Sequence, residues 1–487
     1  MARIAGSKST DSLSGWIQQL TTVVIFCLWS LQPNVCSAQQ RSDETVARGN
    51  EQTAPTSPVD DRYSSDSLGT ARRATIGLSL EKAIQIAIEN NLNTSLARER
   101  QHEARGLKHE SRAPLLPNLS SGAFQSNNTA NLFAQGLVFP AVPAFIGPYK
   151  TFDARVRLSQ MIFDLSAIRT FQSSQVGERI VGLQENLARE QVATAATLGY
   201  VELLRSEQAL HAAQANLQLA QDLLKLAEDQ HQVGVATGID VARAKTSVAQ
   251  NTLALEQART ASEQASLRLL RITGLPLGSK LVLTDTMRFA VGHTPTAEIA
   301  VTDAKQSRYE LQIAAHLLKQ RRLERRAAVA EQYPSLGFAG NYGSSGITPW
   351  LTNLPTRSVA VQVSVPILNG GLTRGRIEVA KSQECQAELQ LRDTEAQVEE
   401  DVRLALVTLA SAAEQVRAAE ATFKLAEIEL RMARDRFAAG VADNIEVIQA
   451  QTSLENGRNE RVTALAVYNT ARVNLAAALG RAQSFRL

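Results

Sequence analysis

The chain has 487 residues with 51 basic and 48 acidic side chains, a formal net charge of +3. That balance excludes a global pull toward nucleic acid or anionic lipid. Alanine is abundant and aromatics make up only 5% of the chain, which suits closely packed long helices better than a thick globular core.

In chain order, Arg3 and Lys8 precede the apolar run Leu20 to Leu31, and small residues follow at Cys36, Ser37 and Ala38. This is the order of an export signal, predicted over about 1–38. The run is too short to span a bilayer as a helix, which needs about 20 apolar residues. Cys36 is a candidate for lipid attachment, although Asn34 and Val35 fit the lipoprotein cleavage pattern poorly. Residues of about 39–77 are polar and predict a flexible leader. Once the signal is removed Cys385 stands alone, so no intramolecular disulfide can form.

No proline falls between Pro148 and Pro276, and none follows Pro366. Proline breaks a helix, so these two alanine-rich stretches permit long ones. The spacing predicts long helices over about 168–232 and 373–438. At 1.5 Å per residue each is about 100 Å long. Leu203, Leu210, Leu217 and Leu224 recur in steps of seven, the sign of a coiled coil. Shorter helices are predicted over about 80–112, 240–273, 297–330 and 445–479.

Alternation of period two predicts strands over about 119–127, 153–163, 336–344 and 358–368. In the last, Val359, Val361, Val363, Val365 and Ile367 take one face, and Ala360, Gln362, Ser364 and Pro366 the other. Loops of about 128–152 and 345–357 join each pair. Four strands are too few to close a barrel alone.

Sliding the chain on itself exposes a twofold repeat. LLPNL at 115 matches QYPSL at 332, and VGVATGIDVARAKTSV at 233 matches AGVADNIEVIQAQTSL at 439. Gly274 meets Gly480 at the second offset. The domain reading is a first repeat over about 78–275, a linker over about 276–296, a second repeat over about 297–482 and a tail at about 483–487.

LSLEKAIQIAIENN at 78, LLPNL, HQVGVATGIDVARA at 231 and RFAAGVADNIEVIQA at 436 resemble the TolC-like outer-membrane efflux protein family over about 78–482. The resemblance implies a mainly α fold with a membrane β-barrel portion, in which a helix–strand–strand–helix–helix unit occurs twice. It implies a homotrimer whose four strands per subunit complete a 12-stranded barrel in outer-membrane lipid, continued by an α-helical periplasmic barrel. The implied function is an exit duct for efflux or type I secretion, served by a periplasmic adaptor and an inner-membrane transporter. It implies no enzymatic chemistry, cofactor, metal or nucleic acid.

The resemblance also makes the hairpin tips the periplasmic entrance. Gly234 and Gly440 are placed to turn each long helix through a left-handed residue. With Val235, Ala236, Val441 and Ala442 they are expected to present an apolar tip to the adaptor. Asp240 and Glu446 match acidic positions, where each acid either contributes to a cation-attracting ring or stabilises the start of its own helix. Gln449 replaces the second acid of the ring, and Phe437 and Ala442 replace a tyrosine and an arginine that tie the entrance shut elsewhere in the family. Two other classes compete. A coiled-coil adaptor has one helical hairpin where this chain has two, and a soluble scaffold explains neither the export signal nor the strands.

Overall fold

The computed structural model describes residues 75–136, 143–234, 236–289, 295–439, 441 and 444–487. The expected signal and most of the leader lie outside them. In order come β1 (Thr75–Leu78), α1 (Leu80–Asn90), α2 (Leu92–Arg112), β2 (Asn118–Asn131), β3 (Phe145–Phe163), α3 (Leu165–Gln232), α4 (Gly238–Thr273) and β4 (Lys280–Leu283). Then follow α5 (Ala297–Ser307), α6 (Tyr309–Ala330), β5 (Ser335–Gly346), β6 (Leu354–Ser364), α7 (Leu372–Ala438) and α8 (Asn444–Ala478). The protein is mainly helical with a β portion.

β2, β3, β5 and β6 form one antiparallel sheet in that order. The helices α2, α3, α6 and α7, which lead into or out of those strands, pack side by side in the same sequence. Each strand is thus carried onward by a helix. Among the described residues no helix is both long and apolar enough to cross a membrane. The sheet carries a row of exposed apolar side chains, with Val359 at 70%, Val361 at 64% and Val363 at 63% exposure.

The strands run longer at their turns than the alternation predicts, with β2 reaching Asn131 and β6 starting at Leu354. At its other end β6 stops at Ser364, short of the expected 368. Pro366 has no N–H to give the ladder, and Ile367 and Leu368 beyond it are exposed.

Two strands stand where no element was expected. β1, in the last residues of the predicted leader, pairs in parallel with β4 inside the predicted linker. Leu78 of β1 is fully buried, and Tyr200 beside it donates its hydroxyl to Asp285 Oδ2 at 2.8 Å. The same carboxylate accepts Leu80 N at 2.8 Å, fixing the start of α1. The chain end packs here as well. Phe485 joins this core, and Ala482 N donates to Glu190 Oε2 of α3 at 2.9 Å.

Two helices expected to be continuous are broken, at Asn91 and Arg308. Both residues have extended backbone, φ −68° and ψ 137° at Asn91 and φ −66° and ψ 122° at Arg308. Asn91 Oδ1 accepts Asn93 N at 2.9 Å, restarting the helix, while its Nδ2 donates to Ile272 O at 2.9 Å.

α7 and α8 form an antiparallel coiled coil with strict steps of seven. Val402, Leu409, Val416, Phe423, Leu430 and Phe437 are buried along one row of α7, and Ala405, Ala412, Ala419, Ala426 and Ala433 along the next. α8 answers with Ala450, Gly457, Ala464, Ala471 and Ala478, all buried. Small residues let the backbones approach, and a Cβ added to Gly457 would lie 3.3 Å from Phe423 Cα. In α3 the buried seam is Ser206, Ala213, Ala220 and Ala227. The leucines at 210, 217 and 224, which the heptad spacing singles out, are only half-buried beside it. A small-residue seam brings helices closer than a leucine one, which pushes the leucines to its flank.

Candidate functional site

The two hairpin tips lie at the ends of α3 and α7, away from the strands. α3 ends because Gly234 adopts φ 81°, a left-handed conformation that a side chain disfavours. Ala236 N then folds back to donate to Gln230 O at 3.2 Å, and His231 Nδ1 donates to Ala236 O at 2.9 Å. This closed turn leaves Ala236 only 8% exposed, so it does not present the apolar surface expected of it. Val233 at 74%, Ile239 at 58% and Val441 at 72% do. Val441 was expected there, whereas Val233 and Ile239 were missed because only the folded turn reveals which side chains it leaves outside. Val235, Gly440 and Ala442 lie outside the described residues.

Asp240 begins α4 as half of a capping box. Its Oδ2 accepts Thr237 N at 2.9 Å and Thr237 Oγ1 at 2.6 Å. The Thr237 hydroxyl bond, with smaller help from the Thr237 N–H and Arg243, holds the Asp240 carboxyl below its usual range. The cap role is therefore built into the turn. The backbone carbonyl of Asp240 accepts Asn444 Nδ2 at 3.0 Å, joining the first tip to the start of α8.

Glu446 lies in the first turn of α8. Its Oε1 stands 3.3 Å from Arg436 Nη1 at the end of α7, with both side chains about half exposed to solvent. Sequence reasoning did not single out Arg436, because this pairing forms only when the turn brings the two helix ends together. Gln449 is exposed one turn further along α8. Phe437 is not an open entrance residue within the subunit. Its ring is 5% exposed and packs in the core formed by Leu223, Leu430, Val447 and Leu454. Its carbonyl accepts Gln230 Nε2 at 3.1 Å, a second tie between the tips.

Above the tips, a short polar ladder continues between α4 and α8. Gln451 Nε2 donates to Ser247 Oγ at 3.1 Å, and Asn251 Nδ2 donates to Glu455 Oε1 at 3.0 Å. Asn251 and Gln451 are nearly buried. Polar residues that interrupt an otherwise apolar helix face are the sequence signal that could have found them. Among the described residues this arrangement forms no nucleophile–base pair; it offers an apolar tip, a few fixed charges and hydrogen bonds between two hairpins.

A family described as Outer membrane efflux protein matches residues 83–275 and 300–481, one match per repeat. The toluene efflux pump outer membrane protein TtgC of Pseudomonas putida is 25% identical over 421 residues, covering 82% of this chain and 83% of its own. The alkaline protease secretion protein AprF of Pseudomonas aeruginosa is 25% identical over 411 residues, with 82% and 84% covered. The crystal structure of VceC from Vibrio cholerae matches with a TM-score of 0.72 at 17% identity, covering 82% of this chain and 96% of that one. At that identity it speaks for the fold alone. The chain belongs to the outer membrane efflux protein family, as a TolC-like channel protein of the cell outer membrane with a large periplasmic portion.

Proposed function

We propose that three copies of this chain close one 12-stranded barrel and form a passive exit duct from the periplasm to the exterior. The observation that carries this reading is the open sheet. Its order leaves the outer edges of β2 and β6 without partners among the described residues. Unpaired backbone groups are not tolerated in lipid, so a membrane sheet must close. One sheet face is apolar and exposed, as a lipid-facing surface would be. The residues carry no catalytic role in this reading.

The tips then form the periplasmic entrance. Val233, Ile239 and Val441 are the apolar contacts offered to a periplasmic adaptor, which links the duct to an inner-membrane transporter. Glu446 contributes a threefold acidic ring whose strength Arg436 moderates. The names of the relatives span both solvent efflux and protease secretion, which supports a tripartite efflux or type I secretion system as the setting.

Planar bilayer recording tests the reading. Purified protein from outer membranes should conduct as discrete steps of uniform size, and correctly folded protein that never conducts would rule out the duct.

A further inference from the structure

The sheet has two unlike faces, and the second carries charge. Residues opposite one another across the ladders share a face. Leu158, Gly340 and Val359 fall together on the apolar side. On the other side Arg157 stands level with Ser120 and Asn341, and Arg155 with Gly122 and Gly343. These neighbours are small. A Cβ added to Gly122 would lie 3.8 Å from Arg157 Nη1, so the guanidinium reaches out across bare backbone.

The charges on this face do not cancel. Asp153 is the one acid on it among the described residues, and Arg155 holds that acid while its Nη1 donates to Asn341 Oδ1 at 3.4 Å. Arg157 is exposed and makes no ion pair among the described residues. In a closed barrel the apolar face takes the lipid, which turns the face of Arg157 to the lumen, where side chains tune selectivity. Arg357, the basic residue of β6, sits level with Tyr342 and belongs to the apolar face, so it is not part of this group.

We propose that Arg157, repeated once per subunit, forms a girdle of positive charge inside the barrel lumen that favours anionic solutes bearing carboxylate, phosphate or sulfonate groups. The proposal rests on the closed-barrel reading above. Arg157 lies two residues from Ser159, which pairs with the first residue of β2. At about 3.3 Å per residue this places it near the join between barrel and helices. A 12-stranded lumen falls between barrels that side chains fill and those that hold a broad aqueous channel. Solutes crossing it pass within a Debye length of the wall, about 8–10 Å at moderate salt. The planar guanidinium matches carboxylate and phosphate oxygens bidentately, so the girdle discriminates by geometry as well as sign.

The test uses the full chain in planar bilayers under a potassium chloride gradient. Arg157→Ser should raise the potassium-to-chloride permeability ratio about twofold or more, with Arg157→Glu raising it further and Arg157→Lys staying near wild type. Inorganic pyrophosphate should reduce the wild-type current more than that of Arg157→Ser. Conducting Ser and Glu variants with the wild-type ratio would overturn the girdle and leave the duct intact. So would a wild-type current indifferent to pyrophosphate, a readout that requires no variant to assemble. Absence of any wild-type conductance would instead remove the duct itself.

Discussion

Gly274, which ends α4, presses against Asn90, which ends α1, so closely that a Cβ on the glycine would lie 2.9 Å from Asn90 Cβ and 3.0 Å from Asn90 O. The second repeat builds the same junction from Gly480 and Ser307, with the nearest atoms at 3.4 Å. Both glycines are left-handed, φ 69° and 67°. The breaks at Asn91 and Arg308 are what let each helix pair stop at this contact.

Alanine at these two positions separates strain from crowding. Each substitution forces an L residue into a left-handed conformation, at about 1–2 kcal/mol. Only Gly274→Ala adds a collision with backbone. It should therefore lower thermal stability clearly more than Gly480→Ala, as read from the midpoints of their unfolding curves.

The α7–α8 seam makes a second prediction. Gly457→Leu inserts a side chain where α8 approaches Phe423 Cα, and overpacking of a tight core costs about 1–3 kcal/mol. The enlarged residue should lower the denaturant midpoint. An equal midpoint would show that the helices can separate without loss.

The Asp240 cap gives a pH dependence. Its folded carboxyl titrates below the ordinary value of 3.8, so the unfolded chain binds the proton more readily. The stabilisation is fully present above the ordinary value and is lost as the pH falls through the folded one. Amide exchange in the first turn of α4 should therefore accelerate on acidification below about pH 4, in line with that value. Asp240→Asn should weaken this turn at neutral pH, by about 0.5–1 kcal/mol, and flatten its acid response.

Arg436 and Glu446 predict opposite effects on block of the duct by a trivalent cation added from the periplasmic side. Glu446→Ala removes the acid and should weaken block about threefold or more, given three copies at one ring. Arg436→Ala frees the same acid from its partner and should strengthen block. Identical block in both variants would remove the ring from the entrance.

The parts of the fold legible in the sequence are those governed by local rules. The long helices were expected at about 168–232 and 373–438 and stand at Leu165–Gln232 and Leu372–Ala438, because uninterrupted helical spacing needs no distant partner. β1 and β4 escaped notice because each is four residues long and exists only through pairing with the other. The tips divide the same way. Asp240 was readable as an acid at the start of its own helix, a local relation, while its capping box with Thr237 emerged only from the folded turn. The pairing of Arg436 with Glu446 and the burial of Ala236 and Phe437 arise from how the turns close, which residue spacing does not encode.

The mass of the detergent-solubilised complex, corrected for bound detergent by light scattering, tests the closure of the open sheet most directly. Three chains per particle is the predicted result. A folded particle containing a single chain, with β2 and β6 still unpaired in lipid, would contradict it.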